Sequence, residues 1–216
     1  MPVLNPPAGN TEPLKIYGSR ICRGNLDASM VEVLGHLHVS GELITSRLKL
    51  KGECSIGLTC NAQEITSLGS LRVHDLQAVK VVSDGYLSVT RVAAAEEFLA
   101  DGCVRIDRLS CKTRISIKLG TLCKVRHLMS EGAIIVSPSS RLIQIPLNPL
   151  RRLQCETIEG ADLSLYRTSA DNVSGVNVTI GSGCVIQEIR YSGTLTLHPK
   201  SQVGKITRIN DPEGRD

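Results

Sequence analysis

The sequence of 216 residues has no tryptophan and a single phenylalanine, and aromatics make up only 2% of it. Its core must therefore be built from aliphatic side chains, which the 41% hydrophobic content supplies. The same scarcity removes the platforms on which single-stranded nucleic acid stacks, so no nucleic-acid partner is expected. No stretch approaches the roughly 20 apolar residues of a membrane helix. The opening "MPVLNPPAGNTEPLK" lacks the basic and apolar regions of a secretory signal, and the expected location is the cytoplasm. The eight cysteines, at 22, 54, 60, 103, 111, 123, 155 and 184, include no C-x-x-C pair and no dense framework, which points to reduced thiols. The net charge of +4 is dispersed and singles out no partner. A P-loop, a dinucleotide-binding fingerprint and a nucleophile elbow are also missing; "GSGC" has no phosphate-binding lysine and no long helix after it. No nucleotide and no other cofactor is expected.

What the chain does have is a period. Glycines recur at Gly18, Gly35, Gly52, Gly69, Gly85, Gly102 and Gly120, in steps of 16 to 18 residues, and such self-similarity marks a repeat architecture. Aligning the segments, with one or two residues of slack, gives six columns. The first pair holds Leu37, Cys54, Leu71, Leu87, Val104 and Leu122, then Cys22, Val39, Ile56, Val73, Val89, Ile106 and Val125. The second holds Leu26, Leu43, Cys60, Leu76, Val92, Leu109 and Leu128, followed by the small residues Ala28, Thr45, Ala62, Ala78, Ala94, Cys111 and Ser130. The third begins Val31, Leu48, Ile65, Val81, Phe98, Ile115 and Ile134, and ends Val33, Leu50, Ser67, Ser83, Ala100, Ile117 and Val136.

Alternation with period two puts both residues of each pair on one side of a short strand, and the breaks between pairs allow a corner. Three strands and three corners make one coil of a triangular parallel β-helix. The small column suits a narrow part of the interior, and the glycine suits a corner needing positive φ or close backbone approach. One coil buries too few side chains to offset the entropy of ordering seventeen residues, so coils must stack. The fold class expected is an all-β, parallel β-helix solenoid with ~17-residue coils.

Residues 1–13 read as a flexible tail, 14–136 as about seven coils, and 137–152 as a loop or insertion containing Pro138, Pro146 and Pro149. A related pattern then resumes over 153–209, at "IEGADLSL", "VSGVNVTI" and "IRYSGTLTL", with "IGSGCVI" and "VGKITRI" as turns and short edges, before a disordered end at 210–216. Charges of alternating sign recur before the fifth column, at Arg47, Glu64, Lys80 and Glu96. Such pairs help set register between coils.

Two chemical alternatives are weighed on residues. A left-handed β-helix acyltransferase needs a histidine base, for which His36, His38, His74, His127 and His198 are the candidates. His36 and His38 flank an inward Leu37 and so point outward, with no carboxylate in their strand to orient them; surface histidines are expected. Zinc would need clustered ligands. Cys22, Cys54, Cys60 and Cys111 fall in apolar columns, where cysteine packs as a small hydrophobe, while Cys103 and Cys123 fall outside them, where exposure is allowed, but neither has a second ligand at the usual spacing. No catalytic residue and no metal site is expected. A β-helical partner-binding module that never polymerises is a third reading.

The glycine-spaced, three-strand, seventeen-residue coil resembles the bactofilins, polymer-forming cytoskeletal proteins of bacteria. The segment "TIEGADLSLYRTSADNVSGVNVTIGSGCVIQEIRYSGTLTLHPKSQVGKITRI" is similar to the C-terminal part of longer bactofilin-like proteins of Firmicutes. The resemblance implies a right-handed helix that assembles end to end into nucleotide-independent, non-polar filaments, scaffolding cell shape, envelope proteins or motility. The partners it implies are the protein itself, a paralogous bactofilin, or envelope and motility proteins, with attachment to the inner face of the membrane through them. Many bactofilins carry an apolar N-terminal membrane-targeting peptide; only Val3 and Leu4 stand before Pro6 and Pro7 here, which argues against direct membrane binding. Independently of the resemblance, terminal coils of a β-helix expose an open sheet edge beside aliphatic columns, and no capping helix is legible at either end. Ile16, Ile206 and Ile209 are the residues expected at a polymerisation interface, on top of inward columns represented by Val39, Ile56, Val73, Val89, Ile106 and Val125.

Overall fold

The structure is a computed structural model that describes residues 12–139 and 151–209. All regular elements among these residues are strands: β1 (Leu14–Ile16), β2 (Ser19–Cys22), β3 (Leu26–Val33), β4 (His36–Val39), β5 (Leu43–Leu50), β6 (Glu53–Ser67), β7 (Ser70–Leu119), β8 (Cys123–Pro138), β9 (Leu153–Leu165), β10 (Thr168–Ile180), β11 (Val185–Tyr191), β12 (Leu195–Leu197) and β13 (Gln202–Arg208). Several run through corners, so that one long strand carries more than one side of the triangle. Every pairing is parallel, and each joins a segment to its equivalent in the next coil: Val39 lies beside Ile56 and Ile56 beside Val73 on one wall, Leu43 beside Cys60 and Cys60 beside Leu76 on the next, Leu48 beside Ile65 and Ile65 beside Val81 on the third. The chain is thus a parallel β-solenoid with ~17-residue coils over about eleven turns. We call the walls first, second and third in that order.

The inward columns form one continuous aliphatic core. Val39, Ile56, Val73, Val89, Ile106 and Val125 on the first wall, and all of Val31, Leu48, Ile65, Val81, Phe98, Ile115 and Ile134 on the third, are buried. Period two sets each face because successive side chains of a strand leave its opposite sides. The small column is buried too, at Ala28, Thr45, Ala62 and Ala78. Of the corner glycines, Gly85 and Gly102 have positive φ, while at Gly35, Gly52 and Gly69 an added Cβ would lie within 3.0 Å of the preceding corner's carbonyl. Both reasons for glycine therefore occur in one column.

Three positions differ from the sequence reading, and each difference arises at a corner. Ala93 and Ala95, rather than Val92 and Ala94, are the buried pair of their coil; one more residue occupies the corner, where the Val92 N–H is received by the Asp75 carboxylate at 3.2 Å. Cys123, rather than Leu122, continues the first column, because Ile106 lies beside Val125 and five residues separate Ile117 from Cys123. Cys123 is accordingly fully buried, as a column residue rather than one outside the columns. Glu97, rather than Glu96, faces Lys80 at 3.0 Å; Glu96 reaches Lys112 at 3.5 Å. The pair Arg47 and Glu64 sits in register, also at 3.0 Å.

The proline-containing stretch lies largely outside the described residues, although β8 runs through Pro138 beside Leu119. The solenoid continues beyond it: Leu128 pairs with Ile158, Ile158 with Val173, and Val173 with Ile189. The last wall strand, β13, places Ile206 beside Ile189. "VGKITRI", read as a turn and short edge, is largely the strand β13 at the edge of the described sheet. Expectations for residues 1–11 and 210–216 lie outside the described residues.

Candidate functional site: the two terminal coils

A solenoid has two terminal coils, and among the described residues each has a neighbouring coil on one side. At the N-terminal end β1 pairs with β3 alone and β2 with β4 alone; at the other end β12 pairs with β10 alone and β13 with β11 alone. The first coil carries Leu14 and Ile16 on the third wall, Arg20 and Cys22 on the first, and Leu26 and Ala28 on the second, by register with Val31, Val33, Leu37, Val39, Leu43 and Thr45. The last coil carries Leu195 and Leu197 on the third wall, Val203 on the first, and Ile206 on the second.

The consequence is visible along one column. Ile189 is fully buried, whereas Ile206, beside it in the last described coil, is 45% exposed. Ile16 is 5% exposed and belongs to the core cluster, so of the three residues expected at an interface it is the covered one. Ile209 is exposed, with its N–H donating to the Tyr191 carbonyl at 2.7 Å; alternation from Ile206 through Arg208 puts it on the outer side. Sequence reading missed Leu195, Leu197 and Val203 as part of this end, and Tyr17 and Ile21, which are 72% and 66% exposed on the first coil. The signal for the first three was their place in the columns; Tyr17 and Ile21 sit in outward positions that carried no signal.

Elsewhere the polar groups are arranged as a surface. His36 and His38 are half-buried on the outer side of the first wall. His36 lies 3.5 Å from the Ser19 hydroxyl and His38 3.4 Å from that of Ser40. His127 Nδ1 meets the Thr157 hydroxyl at 2.8 Å, and His198 Nδ1 accepts the Lys200 N–H at 3.0 Å. These partners are hydroxyls and a backbone group, not carboxylates. A shallow groove of about 490 Å³ crosses the first wall over Val89, Ile106, Val125 and Cys155. No histidine lines it; Arg126 pairs with Asp107 at 3.0 Å and with Glu156 at 3.5 Å, and Arg105 and Lys124 also line it, so cations outnumber anions by one.

The cysteines divide by burial. Cys54, Cys60, Cys111, Cys123, Cys155 and Cys184 are buried, and Cys22 and Cys103 are half-buried. Burial pushes the Cys54 and Cys111 thiols up to about 12, Cys123 to about 11 and Cys155 to about 12, and raises Cys60 and Cys184 as well. These groups are protonated, inert packing elements at neutral pH. Among the described residues no three His, Cys, Asp or Glu side chains gather as metal ligands.

No family model matches the chain, and no solved structure matches it. It is similar to the uncharacterized protein YhbE of Bacillus subtilis (strain 168), with 33% identity over 84 residues. That stretch is 39% of this chain and 33% of the relative, so the chain matches about a third of that protein's length.

Proposed function

We propose that the protein is a non-enzymatic, nucleotide-independent scaffold of the bactofilin kind, which self-assembles through its terminal coils. The observation that carries this reading is the exposed Ile206 beside the buried Ile189: among the described residues the last coil presents part of an aliphatic column and a strand edge to solvent, and such an edge is able to template another chain. Natural solenoids usually close such an edge with a polar cap. In this reading the polymer lies in the cytoplasm and serves shape, envelope organisation or motility through protein partners.

Negative-stain electron microscopy of the purified protein without nucleotide tests it. Filaments are expected for the wild type, and shorter or no filaments for Ile206→Lys, with an unchanged melting transition because the side chain is already half in solvent. Absence of any assembly by the wild type across salt and protein concentration would overturn the reading.

A further inference from the structure

Charges on the outer faces of the solenoid meet opposite charges from coil to coil. Among the register pairs between separate strands, Lys15 with Glu32, Glu32 with Lys49, Arg47 with Glu64, Glu64 with Lys80 and Glu188 with Lys205 each join a cation to an anion. Arg105 and Lys124 break the pattern: two cations lie side by side in adjacent coils. Both are exposed, and neither has an ion-pair partner among the described residues. Like charges directly opposite each other destabilise a sheet, so folding alone gives no reason to place them together.

Period two sends alternate residues of the first wall outward, and two such rows form the banks of its groove. One row runs through Ser88, Arg105, Lys124 and Gln154, the other through Thr90, Asp107, Arg126 and Glu156. In the second row Arg126 stands between Asp107 at 3.0 Å and Glu156 at 3.5 Å, and Asp107 also has Arg108 at 3.9 Å, which leaves that bank neutral. In the first row two positive charges, flanked by a hydroxyl and an amide, meet no anion. The groove thus has one neutral bank and one positive bank, in the middle of the solenoid.

That asymmetry selects the occupant. Four coils spaced ~4.8 Å apart make the groove ~14 Å long, too long and too open for one small oxyanion to fill, and an ion held only by two hydrated side chains gains little over water. A membrane surface or a nucleic-acid backbone carries negative charge over its whole breadth and finds no attraction on the neutral bank. An extended peptide of four or five residues, at ~3.3 Å each, matches the length and carries alternate side chains on one side. We infer that the groove docks an extended acidic segment of a partner protein along the solenoid axis, its carboxylates against Arg105 and Lys124. Ser88, Thr90 and Gln154 supply hydrogen-bonding groups for the rest of the segment. This goes beyond the self-assembly reading and does not depend on the terminal coils.

Fluorescence anisotropy of a labelled peptide of alternating glutamate and serine tests it, with a peptide of alternating lysine and serine as control. Saturable, salt-sensitive binding of the glutamate peptide alone is expected, with a Kd below about 1 mM. Arg105→Ala with Lys124→Ala is expected to weaken it by about tenfold or more, with melting temperature and sedimentation unchanged. Arg114→Ala with Lys118→Ala removes the same charge from exposed positions on and beside the third wall, and is expected to weaken binding by less than about twofold, as screened charges at a distance do. Equal losses in the two double variants would show general attraction to a cationic protein and overturn the site. Absence of wild-type binding up to about 1 mM peptide would overturn it too. Binding of inorganic phosphate or of phosphatidylglycerol vesicles that depends on Arg105 and Lys124, in place of peptide binding, would overturn the peptide as occupant.

Discussion

The run of coils before the proline-containing stretch and the coils after it solve the same corner differently. In the first region the step from Leu37 to Cys54 is seventeen residues, and three residues, such as 51–53, form the corner between the third and first walls. In the second the step from Ile158 to Val173 is fifteen, and the corner shrinks to Tyr166 and Arg167. The walls keep the same alternation, so the missing residues come from corners alone. At this one corner Arg167 stands where a glycine would be expected, with φ of 45°, a left-handed conformation that is costly for a residue with a Cβ; the next equivalent corner, at residues 181–183, has glycine again, Gly183 with φ of 74°. Glycine also enters the small inward column of the second wall, at Gly160 and Gly175, which pair in register. Coil length is thus set by how the corner is turned, while the identity of the core is set by the walls.

The largest effects are expected from the feature both regions share. Ile106→Asp and Ile189→Asp each place an unpaired carboxylate in a dry column, at a cost of several kcal/mol, and both are expected to abolish the cooperative melting transition. A soluble, normally melting Ile106→Asp protein would break the assigned register.

Glycine substitutions separate the regions. Gly52→Ala drives a Cβ into the Gly35 carbonyl, held in place by the inter-coil ladder, and is expected to cost more than about 3 kcal/mol. Gly160→Ala meets the Leu163 side chain first, at 3.0 Å, which can rotate; about 1 kcal/mol is expected. Chemical denaturation of the two variants compares them, and equal costs would mean that the corner carbonyls yield as readily as a leucine rotamer.

Alkaline pH acts on both regions together. The buried thiols have folded values above their unfolded value of about 9.0, so the unfolded chain loses their protons first. Their contribution to stability is whole below pH 9 and is lost as the pH rises toward about 12, the value for Cys54, Cys111 and Cys155. The melting temperature is expected to fall progressively above pH 9, and the fall should weaken in a variant with Cys54, Cys111 and Cys155 replaced by valine or alanine.

The smallest effect is expected at the short corner. Arg167→Gly relieves the left-handed conformation, worth about 1–2 kcal/mol, but adds about 0.5–1 kcal/mol of chain entropy to the unfolded state. A net stabilisation of at most about 1 kcal/mol follows, read as a small rise in denaturation midpoint.

The walls were legible in the sequence because period two fixes which face of a strand is apolar, and Val39, Ile65 or Ile115 can hardly be placed otherwise. Corners were not legible to the residue. Moving from Val73 to Leu76 takes three positions and from Val89 to Ala93 takes four, and "RVAAA" offers an acceptable small apolar residue at either count. The same ambiguity exchanged Leu122 for Cys123, both suitable for a core. At the terminal coils Ile206 was legible as a column residue. The burial of Ile16 in a terminal coil was not, and the exposure of Ile21 was not, since its outward position carried no signal.

The claim that open terminal coils drive self-assembly is tested most directly by sedimentation velocity of the purified wild-type protein over a hundredfold concentration range, without nucleotide. The account predicts a weight-average sedimentation coefficient that climbs continuously with concentration, as linear polymers lengthen. A single monomer boundary at every concentration and ionic strength would contradict it.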